Sequence, residues 1–240
     1  MRGVETRTTL TQPRLLSITG PSLQLQLVVE STQLIWSFLL TRLNLSELLI
    51  ATHNEGKLRE FSAFFAKTGY CLRSLNDVGI HTEVEETGST FEDNAALKAT
   101  TYAQLSGMAT IADDSGLEVD ALGGKPGVRS ARFAGRDATD SERIALLLRK
   151  VDNVPSFQRT ARFRCVIALK KPGEPVRLYS GHCNGLIANE ARGDQGFGYD
   201  PVFFLPQLNK TMAELNFEEK NAISHRGHAV AKVANELSLE

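Results

Sequence analysis

The sequence predicts one α/β domain with a mixed sheet and flanking helices. Three observations predict this fold class. Short apolar runs typical of buried strands alternate with segments of helical periodicity, and a tight turn joins one pair of strand-like segments as a hairpin. The chain has 240 residues, of which 42% are hydrophobic, so it can bury one sizeable core. Interleaved helices favour parallel pairing and the hairpin adds antiparallel pairing, which makes the sheet mixed.

The first 46 residues differ in composition from the rest of the chain. They contain many Ser, Thr and Arg residues, and their acidic residues are Glu5 and Glu30. We interpret residues 1–46 as an N-terminal extension and residues 47–240 as the domain. The extension is expected to be poorly ordered or to result from a start codon assigned too far upstream, with an organelle transit peptide as the alternative.

Composition argues against several classes of protein. The formal net charge of -1 gives no general attraction to polyanions, so nucleic acid is not a predicted partner. Polar residues such as Gln24 and Glu30 interrupt the apolar stretch 23–40, so a membrane span is not expected. The cysteines are far apart and lack the spacings of zinc sites and disulfide frameworks, which predicts buried thiols in a cytoplasmic protein.

The domain is predicted to begin with a strand, a turn and a helix. Residues 48–51 are an apolar run typical of a buried strand, and polar residues end the run. Asn54 is a good N-cap for a helix that ends by Gly69. Two further helices begin with capping-box patterns at Thr90 and Thr139. They are predicted at about 90–104 and 139–150, and a last helix at about 224–237.

Strands are predicted between and after these helices. The predicted segments are 109–112, 117–122, 161–169, 176–180 and 201–205. The segment 113–116 is predicted as the end of a strand, with a turn as the alternative. Alternation of polar and apolar residues predicts that 161–169 is half-exposed, and the turn 171–175 joins it to the next strand as a hairpin.

The residues that follow the first strand are one candidate site. At 52–57, backbone amides at a helix N-terminus and the charge of Lys57 favour a triphosphate. Strand–turn–helix junctions also occur without a ligand, so a purely structural role is the alternative. Leu58 follows Gly56-Lys57, which argues against a Walker-type P-loop.

Acidic residues form a second candidate site. Glu83, Glu85 and Glu86 precede one predicted helix, and Asp113 and Asp114 follow an apolar strand. Magnesium (Mg2+) uses few protein oxygens and bridges to substrate phosphates, so one or two carboxylates from separate segments suffice to hold it. These carboxylates therefore predict a magnesium site.

Two further clusters could complete a nucleotide site. In residues 196–201, glycines flank Phe197, whose ring can stack on a base, although a glycine-rich turn with core aromatics has the same pattern. Lys220 and residues 224–227 place cations around the start of the last helix, and Lys98 lies on the second helix. Surface solvation is the alternative for these lysines.

Taken in order, these segments closely resemble the inosine/xanthosine triphosphate pyrophosphatase family. The resemblance covers about residues 48–237, and several motifs in the right order are more specific than any one motif. The segments that carry it are Thr52 to Lys57, Glu86 to Gly88, Phe91 to Lys98, Asp113 to Gly116, Phe197 to Phe204 and Ser224 to Gly227. The run 112–117, with 123–127 and 130–132, is similar to the bacterial branch.

The resemblance implies an elongated mixed α/β fold, usually a homodimer, with the nucleotide in a cleft between two lobes. It implies that Glu86 and Asp114 ligate Mg2+ and that Asp114 is the proton acceptor. The substrate-binding residues that it implies are Thr52, His53, Asn54, Glu55, Gly56, Lys57, Lys98, Ser115, Phe197, Gly198, Tyr199, Asp200, Lys220, His225 and Arg226. Family members commonly have glycine in place of His53, and residues 1–46 have no family counterpart.

The activity that the resemblance implies is hydrolysis of ITP, dITP and XTP to the monophosphate and pyrophosphate, which cleanses the nucleotide pool. Two alternatives are open: a pyrophosphatase of the related septum-linked family that acts on another base, and a module that binds nucleotides without turnover. The pair Glu86 and Asp114 argues against a module that only binds nucleotides, because bringing two carboxylates close together costs free energy.

Overall fold

An eight-stranded mixed sheet is the centre of the computed structural model, which describes residues 46–66 and 68–238. The strands are β1 (Ser46–Ile50), β2 (Tyr70–Ser74), β3 (Thr110–Val119), β4 (Lys125–Pro126), β5 (Thr160–Lys170), β6 (Arg177–Ile187), β7 (Phe203–Leu205) and β8 (Lys210–Thr211). Their order is β2-β1-β3-β5-β6-β7-β8, and β4 pairs with β3. β1 pairs in parallel with β2 and β3, and β5 pairs antiparallel with β3 and β6, so the predicted mixed sheet is confirmed.

Helices flank the sheet, and side-chain N-caps mark the residues at which they begin. They are α1 (Glu55–Phe65), α2 (Phe91–Ser106), α3 (Asp140–Val151), α4 (Phe217–Ile223) and α5 (His225–Leu237). The caps predicted at Asn54, Thr90 and Thr139 are confirmed, and Thr139 forms the full reciprocal capping box with Glu142. These caps satisfy amide groups that the first helical turn leaves without an internal partner.

The sheet is covered by helices on both faces. Side chains alternate along a strand, so neighbouring residues of β1 reach different parts of the core. Leu48 packs with Phe61 of α1 and Val230 of α5, whereas Leu49 packs with residues of α2 such as Ala99. The central strands are therefore buried on both sides.

The far ends of β3 and β5 belong to a third apolar cluster. Leu117 and Phe163 pack there with Leu147 of α3 and Phe203 of β7. Residues 113–116 of β3 lie between this cluster and the helix-covered part of the sheet. The polar side chains of β3 are therefore placed at the junction of the apolar clusters.

The predicted strand end or turn at 113–116 is wrong. β3 is one continuous strand, and Asp113 and Asp114 lie in its middle, opposite Ile167 and Val166 of β5. Antiparallel pairing with β5 satisfies the backbone here, so the local turn propensity of Asp, Ser and Gly is overridden. Gly116 permits close packing, because a Cβ on it would lie 2.4 Å from the Gly127 carbonyl oxygen.

Other boundaries also differ from the predictions. β6 continues to Ile187, and the predicted strand 201–205 begins only at Phe203 because a 3-10 turn spans Asp200–Val202. β5 alternates in burial only over its first half and is buried from Cys165 to Leu169. Cys71 is partly exposed, so the prediction that all cysteines are buried is wrong for this residue. The sequence patterns did not predict β2, β4, β8 or α4.

The predicted extension 1–46 lies outside the described residues, apart from Ser46 at the start of β1. Within the described ranges, helices long and apolar enough to cross a membrane are absent.

Candidate active site

A cavity opens beside the middle of β3. Twelve of the predicted site residues contribute to its wall: Asn54, Lys57, Glu86, Asp114, Ser115, Phe197, Gly198, Tyr199, Asp200, Lys220, His225 and Arg226. The fold thus gathers segments that are far apart in sequence around one cavity. Residues that sequence reasoning did not select also line it, among them Ser130, Asp140, Arg143 and Phe163.

The turn between β1 and α1 forms one side of the cavity. The Asn54 carboxamide oxygen accepts a hydrogen bond from the Lys57 amide at 2.9 Å, and the Asn54 amide donates to the Thr52 hydroxyl at 3.2 Å. Glu55 is exposed on the first helical turn. The turn therefore presents the N-terminus of α1 towards the cavity, where free amides and the helix dipole favour an anion.

Lys57 and Gly56 tie this turn to other parts of the site. The Lys57 ammonium lies 2.9 Å from the buried carboxylate of Asp113. A Cβ on Gly56 would lie 2.7 Å from the Phe197 ring, so the glycine allows the ring to pack directly against the helix. Burial raises the pKa of Asp113, but Lys57 and Arg226 outweigh it and hold that pKa well below its ordinary value.

His53 is exposed and is not part of the cavity wall. Its Nε2 lies 3.4 Å from the hydroxyl of Tyr102, and the two rings meet edge to face. The Tyr102 hydroxyl donates to the Thr82 carbonyl at 3.0 Å and accepts from the Val84 amide at 3.3 Å. The histidine thus contacts the tyrosine that holds the loop leading to Glu86.

Asp114 is buried and held by hydrogen bonds at both carboxylate oxygens. Oδ2 accepts from the Asn94 carboxamide at 3.0 Å, and Oδ1 accepts from the Ser115 amide at 2.9 Å. The oxygen of the same Asn94 carboxamide accepts from the Gly88 amide at 2.7 Å. Asn94 therefore joins Asp114 to the loop that carries Glu86.

Glu86 faces the cavity among cations. Its Oε1 lies 2.6 Å from Lys98 Nζ, and its Oε2 lies 3.8 Å from Arg132 Nη2. Burial would lower the pKa of Lys98, but Asp113, Asp114 and Glu86 together raise it, so Lys98 stays protonated. Burial raises the pKa of Asp114; Lys98 opposes this and Glu86 adds to it, and the net shift is upward.

The pair Glu86 and Asp114 fits a magnesium ion that takes most of its ligands from water and phosphate. The two carboxylates come from separate segments and line the same cavity. Their proximity contributes to the raised pKa of Asp114, a repulsion that a bound cation would relieve. Among the described residues, clusters of three or more His, Cys, Asp or Glu side chains that could hold a metal ion are absent.

Lys220 and Arg226 belong to a buried ionic network. Lys220 is 4% exposed and Arg226 is 2% exposed, so the alternative of surface solvation for Lys220 is wrong. The Glu60 carboxylate pairs with both, at 2.8 Å from Lys220 Nζ through one oxygen and with Arg226 Nη1 through the other. Lys220 Nζ also lies 2.7 Å from Asp200, and Arg226 Nη2 donates to the Ser115 hydroxyl at 3.1 Å.

The loop Phe197–Asp200 uses its two aromatic residues differently. The Phe197 ring lies 4.8 Å from Lys220 Nζ and 5.4 Å from the Arg226 guanidinium carbon, measured from the ring centroid. Tyr199 is buried, and its hydroxyl donates to the Ser130 carbonyl at 2.9 Å. Phe197 is therefore the aromatic ring better placed to stack on a base, whereas Tyr199 anchors the loop.

His225 contributes a neutral imidazole to the cavity wall. Its ring stacks on Phe163 with centroids 4.8 Å apart. Burial, with the charges of Arg226 and Lys220, holds the pKa of His225 well below its ordinary value, so the ring is neutral at pH 7. Its Nδ1 is buried without a hydrogen-bond partner in the described part of the chain.

Similarity to known proteins assigns the family. Residues 48–236 match the sequence model of the Ham1 family. The chain belongs to the Ham1 family. A dITP/XTP pyrophosphatase of Geobacillus kaustophilus is 55% identical to this Ham1 protein over 189 residues, covering 79% of this chain and 93% of the relative. A dITP/XTP pyrophosphatase of Bacillus subtilis is 48% identical, covering 80% of this chain and 98% of the relative.

Solved structures of Ham1 proteins share the fold. The Ham1 protein of Staphylococcus aureus matches with a TM-score of 0.73 and 43% identity, covering 80% of this chain and 98% of that chain. The HAM1 protein of Coxiella burnetii matches with a TM-score of 0.75 and 40% identity, covering 82% of this chain and 100% of that chain. The α/β fold class predicted from the sequence is thus confirmed.

Sequence reasoning missed several polar residues at the site of this Ham1 protein. Glu60 and Asn94 hold predicted site residues from helices α1 and α2, and Asp140 and Arg143 reach the cavity from α3. A signal exists for Glu60, which is buried together with Phe61 on the apolar face of α1. Charged residues on an apolar helix face are seldom buried without a partner.

Proposed function

We propose that this chain hydrolyses the non-standard purine nucleotides dITP, ITP and XTP to the monophosphate and pyrophosphate, with Mg2+ as cofactor. Membership of the Ham1 family supports the reaction, and the matched relatives named dITP/XTP pyrophosphatase align over nearly their whole length. One observation carries the proposal. The carboxylates of Glu86 and Asp114 line the same cavity as the turn before α1, which is suited to binding phosphate.

The triphosphate binds between the N-terminus of α1 and the lysines. The turn 52–57 offers backbone amides, and Lys57 and Lys98 add full positive charges next to the carboxylates. Lys98 remains charged because the surrounding carboxylates raise its pKa. These donors stabilise the charge that develops on the pyrophosphate leaving group, an effect that commonly exceeds acid–base catalysis.

Asp114 accepts the proton of the attacking water. Each of its oxygens already accepts one hydrogen bond, and each has a second lone pair with which it can orient a water molecule. Glu86 and Asp114 would hold Mg2+, which would supply positive charge to neutralise the phosphates. Attack at the α-phosphorus then releases pyrophosphate.

The base binds at the loop Phe197–Asp200 and the start of α5. Phe197 offers a ring face for stacking, and Lys220 and Arg226 are held next to it. The imidazole of His225 lines the cavity and is neutral, so one ring nitrogen carries a proton that it can donate in a hydrogen bond to the 6-carbonyl of inosine or xanthosine. Adenine presents an amine there and leaves the donor unpaired, which costs about 1–3 kcal/mol.

Pyrophosphate release from dITP, ITP, XTP, dGTP and ATP, with and without Mg2+, tests the proposed function. Fast release from the first three with Mg2+, and slow release from dGTP and ATP, is expected. A preference for pyrimidine or methylated nucleotides would favour the septum-linked alternative. Tight binding of dITP without any release would favour a nucleotide-binding module.

We also propose that the chain acts as a homodimer in the cytoplasm and does not bind nucleic acid. The family resemblance supports the dimer, and the net charge of -1 argues against a nucleic-acid partner. Sedimentation equilibrium of the purified protein tests the dimer directly. A mass equal to one chain at micromolar concentration would contradict it.

A further inference from the structure

The N-terminal turn of α3 borders the cavity and contacts the loop Phe197–Asp200. Asp140 and Arg143 of this turn both line the cavity. The Asp140 Oδ2 accepts a hydrogen bond from the Gly198 amide at 2.7 Å, across 58 residues of sequence. This bond joins α3 to the centre of the loop.

Arg143 holds the Asp140 carboxylate in place. Its Nη2 pairs with Asp140 Oδ1, which leaves Oδ2 for the Gly198 amide. Its Nη1 donates to the Ala131 carbonyl at 2.9 Å and to the Ala138 carbonyl. The guanidinium is therefore occupied by the protein and acts as a brace between α3 and the 3-10 segment Gly127–Arg132.

The same 3-10 segment holds the next residue of the loop. The Tyr199 hydroxyl donates to the Ser130 carbonyl at 2.9 Å, one residue before the Ala131 carbonyl that Arg143 contacts. Consecutive residues of the loop, Gly198 and Tyr199, are thus tied to two elements that Arg143 connects. Such a closed set of bonds restricts the loop to one placement.

We propose that Asp140 is a positioning residue that sets the loop Phe197–Asp200 for the purine base and thereby contributes to base selectivity. The proposal rests on the proposed function, because that function places the base at this loop. Gly198 has φ of +64°, a backbone conformation that favours glycine, and its amide N–H points at Asp140 rather than at a neighbouring strand. Without this acceptor the loop keeps the bond from the Phe197 amide to Asp200 but loses the bond that ties it to α3.

Asp140→Ala tests the proposal with Glu142→Ala as the matched control. Both residues lie on the first turn of α3, but within the described part of the chain the side-chain hydrogen bonds of Glu142 go to Thr139 in the capping box. Asp140→Ala is expected to raise KM for dITP about tenfold, with kcat within about threefold, and to lower the ratio of dITP to ATP hydrolysis. Glu142→Ala is expected to lower the melting temperature without changing KM or the ratio.

Amide hydrogen exchange at Gly198 supplies a readout that does not depend on activity. We expect exchange at Gly198 to become at least about tenfold faster in Asp140→Ala and to stay unchanged in Glu142→Ala. Asp140→Asn keeps one acceptor and should fall between wild type and Asp140→Ala in both KM and exchange.

Two outcomes would overturn the proposal. In the first, Gly198 exchanges faster in Asp140→Ala while KM and the substrate ratio stay at wild-type values. In the second, Glu142→Ala changes KM as much as Asp140→Ala, which would show general destabilisation of α3. Failure of the wild-type protein to hydrolyse dITP would instead reject the proposed function, while the exchange at Gly198 would still report on the bond.

Discussion

At the scale of single residues, Asp114 combines burial, two fixed hydrogen-bond donors and an acidic neighbour. Asn94 and Ser115 fix its orientation, and burial, against the opposing charge of Lys98 and with a smaller contribution from Glu86, raises its pKa. A buried carboxylate in such surroundings is unfavourable in the absence of substrate, which is typical of a functional site. Asn94 also has a defined structural role, because its one carboxamide donates to the Asp114 carboxylate and accepts from the Gly88 amide.

Replacement of Asp114 tests its assigned role. Asp114→Asn keeps the shape of the side chain but removes its ability to accept a proton and weakens its interaction with a cation. We expect kcat for dITP to fall by at least about 100-fold. Glu118→Gln, on the same strand but paired with Arg162, is the control and should retain nearly the wild-type rate. A rate for Asp114→Asn within tenfold of wild type would remove Asp114 from the catalytic role.

Glu60 is expected to stabilise the fold through its two buried partners. Glu60→Gln leaves Lys220 with Asp200 alone and Arg226 without its closest carboxylate, so the free energy of unfolding should fall by about 3 kcal/mol at pH 7. Urea denaturation measures this change. Glu55→Gln, an exposed change on the same helix, should alter it by less than about 0.5 kcal/mol.

The pH dependence of this effect has a defined sign. Burial raises the pKa of Glu60, but Arg226 and Lys220 outweigh it, so the folded-state pKa lies below the ordinary value of 4.5. The stabilisation is therefore fully present above pH 4.5 and is lost as the pH falls through the folded-state pKa. The difference in the free energy of unfolding between wild type and Glu60→Gln should therefore decrease as the pH falls below 4.5. A difference that stays constant down to the acid transition would contradict the assignment.

The sequence motifs and their order predicted much of the candidate site, because these motifs carry the family resemblance. What they did not predict is how the charges pair. The partners of Lys220 and Arg226 come from α1, far away in sequence, and only the fold brings Glu60 to them. Whether a lysine is solvated or buried depends on such long-range contacts, and local patterns do not contain them.

At the scale of elements, the position of α5 depends on a glycine in β6. A Cβ on Gly181 would lie 2.2 Å from the His225 carbonyl oxygen and 2.6 Å from the Ala229 amide nitrogen. These are backbone atoms of α5, so they cannot move aside without shifting the helix. The first turn of α5 carries His225 and Arg226, and the glycine therefore sets the distance of these residues from the sheet.

Gly181→Ala is expected to destabilise the protein through this contact. Overpacking against backbone atoms should lower the free energy of unfolding by about 3 kcal/mol, as measured by urea denaturation. Gly69→Ala is the matched control, because a Cβ there meets nothing within 4 Å. Its effect should stay below about 1 kcal/mol. Equal stability of the two variants would show that close packing against Gly181 does not determine the position of α5.

Helices were easier to predict than strands for a physical reason. Caps such as Asn54 and Thr139 are local bonds, and the sequence shows both partners within a few residues. Strand boundaries depend on the partner strand. β3 continues through Asp113 and Asp114 because β5 pairs with it along its whole length, and short strands such as β4 exist only through their pairing.

At the scale of the whole molecule, the cavity forms where long strands pass between apolar clusters. The middle of β3 supplies Asp114 and Ser115, and the surrounding turns and helices supply the remaining walls. Polar groups at the junction of packed clusters are held by rigid elements on several sides. That arrangement favours a preorganised site, in which charges already face the position of a ligand.

The family match begins at residue 48, which leads to a prediction about the N-terminal extension. A shortened chain consisting of Met and residues 44–240 keeps all of β1, so it should fold and hydrolyse dITP with kcat/KM within about twofold of the full chain. Steady-state kinetics on both chains measure this. A loss of activity in a shortened chain that still melts cooperatively would assign a functional role to residues 1–43.

Hydrolysis of dITP in water labelled with heavy oxygen tests the central claim most directly. With Mg2+ present, attack at the α-phosphorus should give dIMP and pyrophosphate in equal amounts, with the label in dIMP. Release of dIDP and inorganic phosphate, or a label found in the pyrophosphate, would contradict the claim.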